Sequence, residues 1–245
     1  MKMISIVTPS YNQAAYIERT ILSVKNQDYP NYEHIIVDCS DDETVSIIKK
    51  YPEIRLVAKR ERFPLSAALN LGFRNARGDI IGWINSDDAF EPGAFKTAVE
   101  YLESRPDVDM VYSDCRFIDE NDKGLAIWHT AEFSYFRNLN YFQMIPQQTI
   151  FFRKEVFGKV GYLDERFHYA IDYDFLIRVS KRCKIAYLPG VILGAFRLHP
   201  GSKTMSQRKK FEPEVRLIKK EQGAVLPYFV ADSVQKLIGI FKKRL

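Results

Sequence analysis

The chain has little cysteine: Cys39, Cys115 and Cys183 are spread over 245 residues with no C-x-x-C spacing. That excludes a disulfide framework or a thiolate zinc site and suits a reducing compartment, so the cytosol is the expected location. Long apolar runs are lacking too. Nothing approaches the roughly 18 apolar residues of a membrane span, and the run within residues 1–9 is too short for a signal peptide. There is no internal repeat, low-complexity tract or Pro/Gly/Ser-rich linker, which leaves one continuous unit. No glycine-rich loop carrying Lys or Arg opens the chain, and such a loop is what grips a triphosphate in nucleotidyl transfer. The body also lacks positive charge. The net charge is +5, yet residues 201–245 hold eleven Lys and Arg against four Asp and Glu. The first 200 residues are therefore slightly acidic, and a nucleic-acid-binding body is not expected.

What is present is an alternation of buried-strand and amphipathic-helix patterns. Strands are predicted at 4–7, 35–37, 54–58, 80–84 and 108–112. Between them, Asn12 is positioned to cap a helix carrying Ile17, Ile21 and Val24, and Val45 and Ile48 share a helical face. Ser66 is expected to cap a helix running through Ala76 that Gly78 ends, and Phe95, Val99 and Leu102 mark a helix after Pro92. This order predicts a single α/β domain with a mostly parallel, Rossmann-like sheet and helices on both faces. The second half is less regular. It offers a hairpin tip at 120–124, strands at 147–152, 185–188 and 191–196, and a helix bearing Phe175, Leu176 and Val179 behind Asp172-Tyr173-Asp174.

Asn85-Ser86-Asp87-Asp88 directly follows the apolar run Ile80-Ile81-Gly82-Trp83-Ile84. Unpaired carboxylates at the end of a buried strand need a divalent cation, a basic partner or an open cleft. Taken alone, the same residues also suit a simple helix cap. Ligands of parallel sheets bind beyond the carboxyl ends of the strands, and Asp38 as well as residues 85–88 lie at such ends. That coincidence favours a functional site.

Further motifs fall in an order that resembles the family 2 glycosyltransferases, which have a GT-A-type fold and invert at the anomeric carbon. The likeness runs from about residue 4 to about 203. It implies a nucleotide-binding half of about 1–113, an acceptor half of about 114–203 and a separate tail at 204–245. Ile6-Val7-Thr8-Pro9-Ser10-Tyr11-Asn12 is similar to the family's first strand and nucleotide loop, which implies donor contacts from Thr8, Pro9, Tyr11 and Asn12. Asp38-Cys39-Ser40-Asp41-Asp42-Glu43-Thr44 resembles the D-x-S-x-D-x-T segment, where the first Asp meets the base, usually uracil; a turn or capping aspartate is the plain alternative. Ala68-Leu69-Asn70-Leu71-Gly72 with Ala76-Arg77-Gly78-Asp79 resembles the segment leading to the metal strand, which places Asn70 on the donor side.

By the same resemblance, residues 85–88 stand for the D-x-D motif. Asp87 is the metal ligand, Asn85, Ser86 and Asp88 serve the donor, and the cofactor is Mn²⁺ or Mg²⁺. Asn85 replaces the acidic first member of many relatives and brings no charge. Asp172 matches the late acidic motif whose aspartate is the catalytic base, while Asp174 is a cap or the partner of a basic residue. His199, in Phe196-Arg197-Leu198-His199, resembles the R-x-H segment whose histidine approaches the metal or diphosphate. Gln147 and Gln148 stand where relatives carry an acceptor-side Gln. One departure is Arg62-Phe63-Pro64 in place of D-x-G, which leaves dTDP- and GDP-sugars open beside the expected UDP-sugar.

The implied function is sugar transfer to a glycan or lipid-linked glycan hydroxyl, as in bacterial cell-surface polysaccharide synthesis. A catalytically degenerate sugar-nucleotide-binding or scaffold subunit is the alternative that Asn85 and the 62–64 departure suggest. In the tail, Leu226, Val230, Val234, Leu237 and Phe241 recur at helical spacing beside Lys236, Lys242, Lys243 and Arg244. That pattern suits a peripheral helix on an anionic membrane face as well as a helix packed on the core.

Overall fold

A computed structural model describes residues 1–58, 64–141, 145–202 and 208–225. The first half follows the predicted alternation: β1 (Ile4–Ser10), α1 (Ile17–Lys25), β2 (Tyr32–Asp38), α2 (Thr44–Ile48), β3 (Arg55–Ala58), α3 (Leu65–Asn75) and β4 (Ile80–Trp83). Strands β3, β2, β1 and β4 are neighbours in that order, and every pair among them is parallel. Side chains alternate across this sheet as strand geometry requires. Ile4 and Ile6 pack with Val24 of α1 and, from α4 (Ala94–Ser104), with Phe95 and Val99. Val7, Ile35 and Val37 pack on the other face with Leu69 and Phe73 of α3.

The remaining strands are β5 (Ala89–Phe90), β6 (Met110–Ile118), β7 (Gly124–Trp128), β8 (Phe151–Arg153) and β9 (Ile185–Arg197). They make the whole sheet mixed rather than mostly parallel. β8 inserts antiparallel between β4 and β6, β6 runs parallel to β9, and β5 and β7 add antiparallel edges. The helices here are α5 (Tyr135–Tyr141), α6 (Val156–Val160), α7 (Ile171–Arg182) and α8 (Arg208–Glu221). Val215 and Ile218 of α8 are buried in the α3/α7 core, so the first part of the expected tail belongs to the domain. The amphipathic stretch from Leu226 onward lies outside the described residues, as do Arg62 and Phe63. Among those described, no helix is long and apolar enough to cross a membrane.

Several local expectations change, each for an identifiable reason. Asn12 does not cap α1: it adopts the left-handed region at φ 52° and locks two loops together, its N–H donating to Ser40 Oγ and its Oδ1 accepting the Asp41 N–H. Ser66 lies inside α3, where its hydroxyl donates to the Phe167 carbonyl. Gly78 is not a helix terminator. A Cβ there would come within 2.7 Å of Met3 O and Ser5 N, so glycine permits close backbone approach to β1. Residues Gln147–Thr149 form a 3-10 turn instead of strand, held by Thr149 Oγ1 donating to Pro146 O at 2.8 Å. The two strands expected at 185–196 are one, because Gly190 at φ 74° lets Pro189-Gly190-Val191 bulge out while pairing with β6 resumes at Ile192.

Candidate active site

The carboxyl ends of β1, β2 and β4 open on a cleft of about 650 Å³. Pro9, Ser10, Tyr11, Gln13 and Cys39 line one side, Asn85, Ser86 and Asp87 the floor, and Gly201 and Ser202 the far rim. A smaller cavity of about 130 Å³ adjoins it and shares Leu65, Asn85, His168, Tyr169 and Phe196 as common wall. Gln147, Gln148 and Asp172 line this second space.

Residues 85–88 do not act as a helix cap; they are the centre of a hydrogen-bond network. The Trp83 indole N–H donates to Asn85 Oδ1 at 3.2 Å, which fixes the orientation of the amide. Asn85 Nδ2 then donates to Asp88 Oδ2 and to Gln147 Oε1. Gln147 Nε2 donates back to the Trp83 carbonyl, and Gln148 Nε2 donates to Asp88 Oδ2 at 2.8 Å. Asp88 is fully buried and also accepts the Arg197 backbone N–H at 2.9 Å, so it organises the site from below without lining it. Burial, with the neighbouring Asp87 charge second, pushes the Asp88 carboxyl up from its ordinary value. Gly194 makes this packing feasible: a Cβ there would sit 2.3 Å from Gln148 O.

Asp87 faces the cleft. Its Oδ2 lies 3.0 Å from His199 Nε2, although the two residues are 112 apart in the chain. The His199 ring packs on Tyr16 with centroids 4.5 Å apart. Among the described residues no three His, Cys, Asp or Glu side chains group to hold a metal, so Asp87 and His199 stand as a pair. Two residues before His199 stands Arg197, the arginine of the R-x-H segment, to which the motif assigned no role. Its guanidinium is 0% exposed, donates from Nε to the Asp87 carbonyl at 2.7 Å, and pairs through Nη1 with Asp122 at 2.6 Å and Asp119 O at 3.1 Å. The signal was available: an arginine at the end of an otherwise apolar strand is either exposed or holding something.

Asp172 sits in the first turn of α7, half-buried, and accepts the Tyr173 N–H at 2.8 Å. It does not cap the helix. Glu214 of α8 takes the His168, Tyr169 and Ala170 N–H groups that precede it, at 2.8–2.9 Å. Burial pushes the Asp172 carboxyl up to about 6. Asp174 pairs with Arg178 at 2.7 Å, the basic partner expected for it.

Besides Asn12 and Asp88, three more residues expected at the donor stand away from the cavities. Asp38 is buried and both its oxygens take hydrogen bonds from Ser40, at 2.9 Å each. Thr8 bonds His34 Nε2 at 2.9 Å beneath the cleft. Asn70 is committed to Leu163 and Glu165, which ties the 161–165 loop to α3. None of these three lines either cavity. Ser10, by contrast, lines the cleft with its buried Oγ lacking a partner among the described residues.

A parallel α/β half joined to a mixed second half, with a cleft across the strand ends, defines a GT-A-type transferase fold. The chain belongs to glycosyl transferase family 2, whose sequence model matches residues 5–161. It is 30% identical over 217 residues to the uncharacterized protein y4gI of Sinorhizobium fredii, and that match covers 85% of this chain but only 24% of the relative. Residues 1–349 of S. aureus TarS, solved with UDP-GlcNAc, share the fold at a TM-score of 0.72 and 20% identity, over 94% of this chain and 69% of that one. The mannosyltransferase PcManGT of Pyrobaculum calidifontis, solved with GDP-Man and Mn²⁺, superposes at a TM-score of 0.61 and 21% identity, over 80% and 56%.

Proposed function

We propose that the protein is an inverting glycosyltransferase that moves a sugar from a nucleoside-diphosphate donor, a UDP-sugar first of all, to a glycan or lipid-linked glycan hydroxyl. The observation that carries this reading is the pair of adjoining cavities, with Asp87 and His199 at the larger and Asp172 in the smaller. Single displacement needs the leaving diphosphate and the general base on opposite sides of the anomeric carbon. Asp172, its pKa raised towards neutrality, accepts the acceptor hydroxyl proton as the new C–O bond forms and the bond to the diphosphate oxygen breaks.

A divalent cation fits Asp87 and His199. One is a carboxylate and the other an imidazole, both ligand types for such an ion, and they stand hydrogen-bonded to each other at 3.0 Å. Bound there, Mn²⁺ or Mg²⁺ would neutralise the diphosphate, with further ligands drawn from phosphate and water. The ligands recorded with TarS and PcManGT, UDP-GlcNAc, GDP-Man and Mn²⁺, support the donor class and the cation. Ser10 and Tyr11 line the cleft where the nucleotide belongs.

Asp172→Asn tests the base. Transfer is expected to fall by about 10²- to 10⁴-fold while calorimetric binding of UDP with Mn²⁺ is unchanged. Full transfer by the variant removes Asp172 from this role. Absence of donor hydrolysis in the unaltered protein, with UDP still bound, would favour the degenerate binding subunit instead.

A further inference from the structure

The smaller cavity has a composition that the transfer reaction alone does not require. The chain has two tryptophans, and both Trp83 and Trp128 line this cavity, together with Tyr169, Phe196 and Phe211. Trp128 is stacked on Phe117 with ring centroids 5.8 Å apart and planes within 2° of parallel. Tyr169 and Phe211 pack at 5.5 Å on the neighbouring wall. The amides of Asn85, Gln147 and Gln148 reach the same space. Aromatic walls with a few fixed polar groups are the usual means of binding and orienting a small ligand.

Charge narrows the ligand. No Lys or Arg is among the described lining residues, and the ionisable ones are Asp172, His168 and Tyr169. Glu214 adds a second carboxylate behind residues 168–170, and its charge helps raise Asp172. Lys210 lies over the Tyr169 ring at 5.7 Å without lining the cavity. A phosphate placed beside Asp172 would meet like charge, with no cation among the described lining residues. At about 130 Å³ the space suits one ring.

We propose that this cavity is a subsite for an uncharged pyranose ring, so that the acceptor is the neutral sugar end of a glycan, its C–H face stacked on the aromatic wall and its hydroxyls met by the amides and Asp172. This rests on the transferase reading above. An acyclic polyol phosphate has no apolar face to offer the rings, and a lipid phosphate brings a charge that the described lining residues do not balance.

Because both tryptophans are in the wall, their emission reports occupancy without any turnover. The full chain, with UDP and Mn²⁺ present, is titrated with methyl pyranosides of glucose, galactose, mannose, rhamnose and N-acetylglucosamine, and separately with ribitol 5-phosphate and undecaprenyl phosphate in detergent. At least one methyl pyranoside is expected to give a saturable change in emission. Trp128→Ala, read through Trp83, should weaken that binding at least about tenfold, and Phe211→Ala, on a different helix, provides the same readout if the first variant fails to fold. Saturation by either phosphate compound and by no pyranoside overturns the inference, as does silence with every compound. Donor hydrolysis in the same preparation reports on the transferase reading separately: hydrolysis without any pyranoside response sinks the subsite alone.

Discussion

The two sides of the site are built differently. Residues 85–88 are held by donors from the 3-10 turn and from β9, so that Asn85, Asp87 and Asp88 each have a fixed hydrogen-bond partner. Asp172 rests on the first turn of a helix, accepts the neighbouring Tyr173 N–H and lines the cavity, while Glu214 takes the N–H groups of residues 168–170 ahead of the helix. A group that must hold a charge in place is braced from several elements. A group that must gain and lose a proton is desolvated and lightly bonded. Under the proposed function, the distinction is that between electrostatic preorganisation and general-base chemistry.

That contrast can be broken from the braced side first. Asp87→Ala should lower kcat/KM for the donor by about 10³-fold, with Mn²⁺ titration no longer raising the rate; an unaltered metal response would remove Asp87 as a ligand. Arg197→Met should destabilise the fold by about 2–3 kcal/mol in urea unfolding, because it leaves the Asp87 carbonyl and Asp122 without their buried donor. Unchanged stability would mean that the guanidinium braces nothing. Asn85→Asp, which restores the acidic first member of many relatives, should cost about 1–3 kcal/mol. It replaces an N–H donor to Asp88 and Gln147 with an acceptor facing two acceptors. A stabilised variant would refute the network.

The lightly bonded side is sharpened by pH. The activity that Asp172 supports should fall as pH drops through about 6, where the carboxyl takes up its proton. Stability runs the other way. The folded-state value lies above the unfolded value of about 3.9, so the cost of ionising the buried group is absent at low pH, grows between the two values and is complete above about 6. Asp172→Asn removes that cost, and its melting temperature should exceed that of the unaltered protein by a few degrees above pH 6. The gap should close towards pH 4. A gap independent of pH would show that Asp172 ionises freely in the fold.

The parallel half was legible because each strand is a short apolar run ended by a turn signal, and each helix carries a clear apolar stripe. The mixed half was harder to read. β8 is three residues long, and the bulge at Pro189-Gly190 looks like a chain reversal when only neighbours are considered. In the site, Asp87, His199, Asp172 and both glutamines fall on the two cavity walls or, for His199, on Asp87 itself. Asp38 meets Ser40 two residues on, as the turn aspartate that was the plain alternative for it. Thr8 and Asn70 stand behind the walls because they meet His34 and the 163–165 loop, partners 26 to 95 residues away that spacing cannot reveal. Arg197 was passed over for the same reason: its partners are at 87, 119 and 122.

The length of β9 bears on how the protein comes into being. Residues 5–161 carry the family signature, yet the Arg197 brace and the His199 imidazole arrive at and just beyond the end of a strand that closes the sheet between β6 and β5. During synthesis the parallel half can settle while residues 185–199 are still being made. Asp87 then has neither its brace nor its histidine. A nascent chain halted before β9 would be a nucleotide-fold fragment whose candidate site is unfinished, so the site is complete only when nearly the whole domain has been made.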